Sequence, residues 1–186
     1  KNQLHITPAG MLGLIILLIL PLIPPFNQQY VIRWLVMGVF IAACAIAFDF
    51  TGGYISIVNF GFHAFVGLGG YTSAILAERI GLSPWLGLFA GGIIAGGLGF
   101  ILGVLTLRLR GIFAAVVAWF VGLALMGLAT KLVWLTRGPL GLRVDRLFES
   151  PSNIPYYYLI FVIMILVYLI TRKVVNSNMG LAFKAI

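Results

Sequence analysis

Residues 84–106 read Pro-Trp-Leu-Gly-Leu-Phe-Ala-Gly-Gly-Ile-Ile-Ala-Gly-Gly-Leu-Gly-Phe-Ile-Leu-Gly-Val-Leu-Thr, without one charged side chain. A helix needs about 20 mainly apolar residues to cross the hydrocarbon core of a bilayer, and this stretch is long enough. Comparable runs cover roughly 10–26, 31–50, 61–77, 112–134 and 155–171. Together they predict an all-α, polytopic transmembrane helical bundle of about six spans with short loops. The runs do not alternate polar with apolar, as the strands of a membrane β-barrel must.

Composition agrees. The chain is 62% hydrophobic and 9% charged, where a soluble domain carries about 25% charged residues. Nothing of size is left over for a soluble domain, so residues 1–186 read as one transmembrane domain. The formal charge of +8 would point to nucleic acid in a soluble chain. Here the basic residues lie at span ends, where they meet lipid headgroups and set orientation, so nucleic-acid binding is not expected. The single cysteine, Cys44, lies inside the second span and reads as a small packing residue.

Lys1 and the apolar run from Met11 imitate a secretion signal. Pro21, Pro24 and Pro25 end the run and no small-x-small cleavage site follows, so the segment is expected to stay as a first span. The chain starts without Met and stops at Ala185-Ile186 in what reads as a helix start. Both ends are expected to belong to a longer polypeptide. Six spans put the two termini on one side of the membrane. Lys and Arg divide evenly between the two sides, so charge leaves the orientation open. Tyr30, Trp34, Trp85, Trp134 and Tyr156 to Tyr158 cluster at one set of span ends, the level that amphipathic rings prefer.

Gly92, Gly96, Gly99 and Gly103 follow spacings of four, three and four, which puts them on one helical face. Gly87 and Gly91 repeat the small-xxx-small spacing. Helices in lipid gain nothing hydrophobic by associating, so close backbone approach across glycine must hold them. These glycines are expected to pack helices.

Residues 49–61 read Asp-Phe-Thr-Gly-Gly-Tyr-Ile-Ser-Ile-Val-Asn-Phe-Gly. Irregular backbone at membrane depth survives only against protein or a water-filled cavity, and transporters place broken helices at their binding sites. The other reading is a short loop. Asp49 is the one acid within an apolar span. Such a residue marks a pathway or pairs with a base, unless it stands at the span's end, where it costs little. Candidate path residues are Asp49, Ser56, Asn59, Gly61 and His63. A lone His such as His63 also serves as an ordinary hydrogen-bonded packing residue. The chain has no Gly-x-x-x-x-Gly-Lys-Ser/Thr stretch, no zinc-ligand spacing and no Gly-x-Ser-x-Gly. An enzyme and a metal site are therefore not expected.

Val58-Asn-Phe-Gly61 followed by Ala64-Phe-Val-Gly-Leu-Gly-Gly-Tyr-Thr72 resembles an early block of permease subunits of branched-chain amino-acid ABC importers. Leu107-Arg-Leu-Arg-Gly-Ile-Phe113 resembles a second block. Leu135-Thr-Arg-Gly-Pro-Leu-Gly-Leu142 resembles a third, usually Leu-Thr-Gly-Gly-Pro-x-Gly. Met179-Gly-Leu-Ala-Phe-Lys-Ala-Ile186 resembles the start of the segment that couples to the ATPase. The chain departs from the family at Asn59-Phe-Gly-Phe62, where Ser-Leu-Gly-His is frequent, and at Val121-Gly-Leu123, where Phe-Gly-Glu is frequent.

The resemblance implies a permease subunit that moves its substrate by alternating access, in the inner membrane of a prokaryote. It implies a second permease subunit, cytoplasmic ATPase subunits and an extracytoplasmic substrate-binding protein as partners. ATP would be used by a partner and no cofactor bound by this chain. Met179, Gly180, Phe183 and Lys184 would couple to the ATPase, and the C-terminus would be cytoplasmic. Urea and short-amide importers share these blocks. From the residues alone, a self-contained secondary transporter, a channel or an assembly protein remains open.

Overall fold

The computed structural model describes residues 8–54, 59–106, 109, 112–144, 146–177 and 180. Seven helices follow in order among them: α1 Pro8–Ile19, α2 Gln29–Asp49, α3 Phe62–Ile80, α4 Pro84–Thr106, α5 Ile112–Lys131, α6 Val133–Thr136 and α7 Ile154–Val175. The described residues contain no strand. Helices α2 (running on to Gly53), α4, α5 and α7 are long and apolar enough to cross a membrane. The apolar segment Pro8–Leu22 is shorter, and α3 has 19 residues with Glu78 and Arg79 at its end. The expected count of about six is thus approximate, while the all-helical class stands. Large apolar side chains stand exposed along these helices, among them Trp34, Ile93, Phe100 and Phe113. Helices that face lipid need no polar cover.

The chain divides into two compact units, Lys1–Ile55 with Phe148–Ile186, and Ser56–Leu147. In the first, α2 lies along α7, and Ile32, Val39, Ala43, Tyr157, Phe161 and Met164 form its core. Both helices begin at the same end, because Gln29 at the start of α2 accepts the Asn153 backbone N–H at 3.0 Å beside the start of α7. They therefore run parallel. The Gln29 amide also donates to the Ser152 hydroxyl at 3.3 Å, and that hydroxyl accepts the Ile154 N–H at 3.2 Å. These bonds occupy donors that a helix start leaves free.

Helix α1 ends because of Pro21, which lacks an N–H and crowds the carbonyl four residues back. The orphaned carbonyl is that of Leu17. The Tyr157 hydroxyl donates to it at 2.6 Å, and the Tyr158 hydroxyl donates to the Leu18 carbonyl at 3.3 Å. Tyr157 is 0% exposed. Its hydroxyl closes a hydrogen bond inside the unit.

In the second unit α3 turns into α4 through Gly81, at φ 68°, and the two helices run antiparallel. A methyl group built on Gly91 would come within 2.5 Å of the Gly69 carbonyl oxygen, and one on Gly87 would overlap the Ser73 hydroxyl. A methyl on Gly99 would touch the Phe65 ring at 3.6 Å. Residues 87, 91 and 99 fall on one i, i+4 ridge, and residues 65, 69 and 73 form its counterpart on α3. Within this unit the contact runs through Gly87, Gly91 and Gly99. Methyl groups on Gly92, Gly96 and Gly103 would meet nothing within 4 Å in the described chain, and only Gly99 belongs to both sets.

Candidate functional site

The polar break is described from both sides. In the first unit α2 runs 21 residues to Asp49, about 31 Å at 1.5 Å per residue. Asp49 is therefore the last residue of a helix whose length alone matches a hydrocarbon core. Its side chain is exposed, and no basic side chain pairs with it among the described residues. The chain then widens into a π-type turn over Phe50–Tyr54. The Thr51 hydroxyl donates to the Phe48 carbonyl at 2.8 Å. Gly53 keeps room for the Asp49 carboxylate, since a methyl there would sit 3.0 Å from its Oδ1. Turns of this kind interrupt helices most often at functional positions. Ser56 lies outside the described residues.

In the second unit the break closes at the start of α3. The Asn59 side-chain oxygen accepts the Gly61 N–H at 3.0 Å, and the Asn59 carbonyl accepts the Phe62 N–H at 3.3 Å. Asn59 thus secures the helix entry with its acceptor and leaves its amide nitrogen as the chemically distinct end. Gly61 is buried, and a methyl on it would overlap the Ala118 carbonyl oxygen of α5. Gly122 meets the same point, where a methyl would touch Gly61 Cα at 3.5 Å. Close packing is therefore what Gly61 contributes within this unit, and no exposed surface. His63 is exposed on the first turn of α3. Gly67 and Gly70 have open space, and Gly69 lies on the α4 contact.

At the other end of the same unit, residues 133–141 fold across the ends of α3 and α5. Thr136 is buried there, 4% exposed. Its hydroxyl lies 2.5 Å from the Ala129 carbonyl and 2.9 Å from the Leu132 carbonyl, and accepts the Gly138 N–H at 3.1 Å. Arg137 pairs with Glu78, and Arg79 donates to the Trp134 carbonyl. Arg137 has φ 57°, and no other non-glycine described residue has a positive φ. A left-handed residue with a side chain costs roughly 1–2 kcal/mol. An exposed ion pair returns about 0–1 kcal/mol. The strain is the larger of the two, so the Thr136 bonds and the Arg79 contact must also hold the turn. Sequence reading treats Glu78, Thr136 and Arg137 as loop and helix-end residues, and only the Thr-Arg-Gly-Pro composition hints at a tight turn.

In the tail, the Asn176 N–H returns to the Arg172 carbonyl at 3.1 Å, and the Ser177 hydroxyl donates to the Val174 carbonyl at 2.6 Å. Gly180 is buried, and a methyl on it would overlap the Val175 carbonyl. Met179, Phe183 and Lys184 lie outside the described residues.

A helical chain with apolar spans and so little buried side-chain surface is a multi-pass membrane protein. The family model described as branched-chain amino acid transport system / permease component matches residues 30–186, and the chain belongs to that family. As a transport permease component it is not an enzyme. Over 90 residues it is 34% identical to the high-affinity branched-chain amino acid transport system permease protein LivM of Escherichia coli (strain K12), covering 48% of this chain and 21% of that protein. The corresponding LivM of Salmonella typhimurium (strain LT2) is 33% identical over the same shares. The aligned stretch thus spans 21% of the length of these curated relatives. No solved structure matches the chain.

Proposed function

We propose that this chain forms part of the translocation path of an ATP-driven importer for branched-chain amino acids in a prokaryotic inner membrane. The observation that carries the reading is the family match across residues 30–186 on a chain of apolar helices. The permease domain extends over all 186 residues in this reading. The chain performs no covalent chemistry and holds no cofactor of its own. ATP is hydrolysed by cytoplasmic partner subunits. A second permease subunit completes the path, and an extracytoplasmic binding protein delivers the substrate.

Asp49, Ser56, Asn59 and His63 supply the polar groups along the path, and Gly61 seats the start of the helix that carries His63. A zwitterionic amino acid sheds water as it enters a membrane, and desolvated charged groups require replacement partners. Met179, Gly180, Phe183 and Lys184 begin the segment that meets the ATPase.

Reconstitution into liposomes tests this. Uptake of radiolabelled leucine is expected only with the ATPase, the second permease subunit and the binding protein all present. Uptake of urea or acetamide in its place would move the substrate class. Uptake by this chain alone under an ion gradient would overturn the importer reading.

A further inference from the structure

We propose that residues 133–141 form an ionically latched strap, held across the ends of α3 and α5 by the Glu78–Arg137 pair and released when that pair is screened or broken. This goes beyond the transport reading and does not depend on it.

The strap has little apolar hold. Val133, Trp134 and Leu140 are exposed, Leu140 at 91%. Its buried members are Thr136 and Gly138. The Thr136 bonds reach Ala129, Leu132 and Gly138, so they fasten the strap to the end of α5 and to itself. The hold on α3 is polar: Arg79 to the Trp134 carbonyl and Arg137 to Glu78.

The backbone sharpens the argument. Arg137 stands at φ 57°, which a glycine adopts freely and an arginine resists. The turn therefore works against its own side chain, and that side chain is what reaches Glu78. Strain of this kind persists where the surroundings over-determine it. With the pair removed, the hold on α3 rests on Arg79 and the Trp134 carbonyl alone, and the strained turn relaxes away from α3. An exposed pair weakens as salt shortens the reach of its field. Ionic strength is therefore the natural release.

The test uses the full chain in lipid nanodiscs, with spin labels introduced through Ile80→Cys and Leu140→Cys on a Cys44→Ser background. Pulsed electron paramagnetic resonance reads the distance across the latch. The labelled parent is expected to give one narrow distribution at low salt, broadened at least twofold at molar salt. Glu78→Gln should be broad at both. Arg137→Gly should be narrow at both, because glycine takes the left-handed turn without strain and needs no pair. Glu78→Gln combined with Arg137→Gly should also be narrow. A parent distribution indifferent to salt overturns the proposal, and this arm needs no change at the pair. Glu78→Gln as narrow as the parent, or Arg137→Gly as broad as Glu78→Gln is expected to be, overturns it equally.

Discussion

The hydroxyl of Tyr157 donates at 2.6 Å to the carbonyl of Leu17, the carbonyl that Pro21 deprives of its helical donor. A ring on α7 thus completes the backbone of α1 across more than a hundred residues of sequence. Water could satisfy that carbonyl in a soluble protein. Inside a bilayer an unsatisfied backbone group has no such recourse.

Tyr157→Phe is therefore expected to destabilise the chain by about 1 kcal/mol, a typical net hydrogen bond, although such bonds average somewhat less in membranes. Pro21→Ala restores an N–H for Leu17. In the double variant the Tyr157→Phe penalty should shrink by more than half. Unfolding in graded sodium dodecyl sulfate measures all three, and equal penalties in both backgrounds would refute the pairing.

Gly91→Ala should cost about 1–3 kcal/mol, the usual toll of overpacking, because the methyl meets the Gly69 carbonyl. Gly96→Ala meets nothing in the described chain and should be neutral or gain up to about 1 kcal/mol from helix propensity. The same unfolding assay ranks them. A larger loss at Gly96 would mean that a partner helix lies on that face.

Asn59 has two ends with separate tasks. Asn59→Asp keeps an acceptor for the Gly61 N–H and removes the amide donor. Asn59→Leu removes both. The acceptor closes a turn onto Gly61 and is worth about 0.5–1.5 kcal/mol as a net hydrogen bond. Membrane levels of Asn59→Asp should stay near those of the parent while its uptake falls at least tenfold; Asn59→Leu should lose both. Full uptake by Asn59→Asp would restrict Asn59 to holding the turn before α3.

Gly180→Ala places a methyl on the Val175 carbonyl, so the turn after α7 must open. Uptake should fall more than fivefold at unchanged membrane level, with ATP hydrolysis by the reconstituted complex no longer stimulated by the binding protein. Normal stimulation would show that this turn does not transmit the stroke.

The helices themselves were legible because length and apolarity are local properties. Pro84 opens α4 and Pro155 stands second in α7, and prolines suit a first helical turn. The packing register of α4 was not legible. Its glycines offer two stripes, and within this unit Gly69 and Ser73 on α3 meet the one through Gly87 and Gly91. Asp49 could stand mid-span or at an end on sequence alone; α2 ends on it, and the π-type turn carries the span on to Gly53. Tyr157 read as one of three tyrosines at a membrane boundary. The informative signal was Pro21, four residues after Leu17, which announces an orphaned carbonyl without naming its donor. The left-handed backbone at Arg137 had no sequence signal in the residue itself, since arginine disfavours it.

Helices α2 and α7 make one body from opposite ends of the chain, whereas α3, α4 and α5 are consecutive. During translation, then, α2 emerges without its mate. At about 5–20 residues per second the wait is on the order of ten seconds. Meanwhile α3, α4 and α5 leave the ribosome and can settle among themselves. A lone apolar helix can wait in lipid, so the first body closes only once α7 has entered the bilayer.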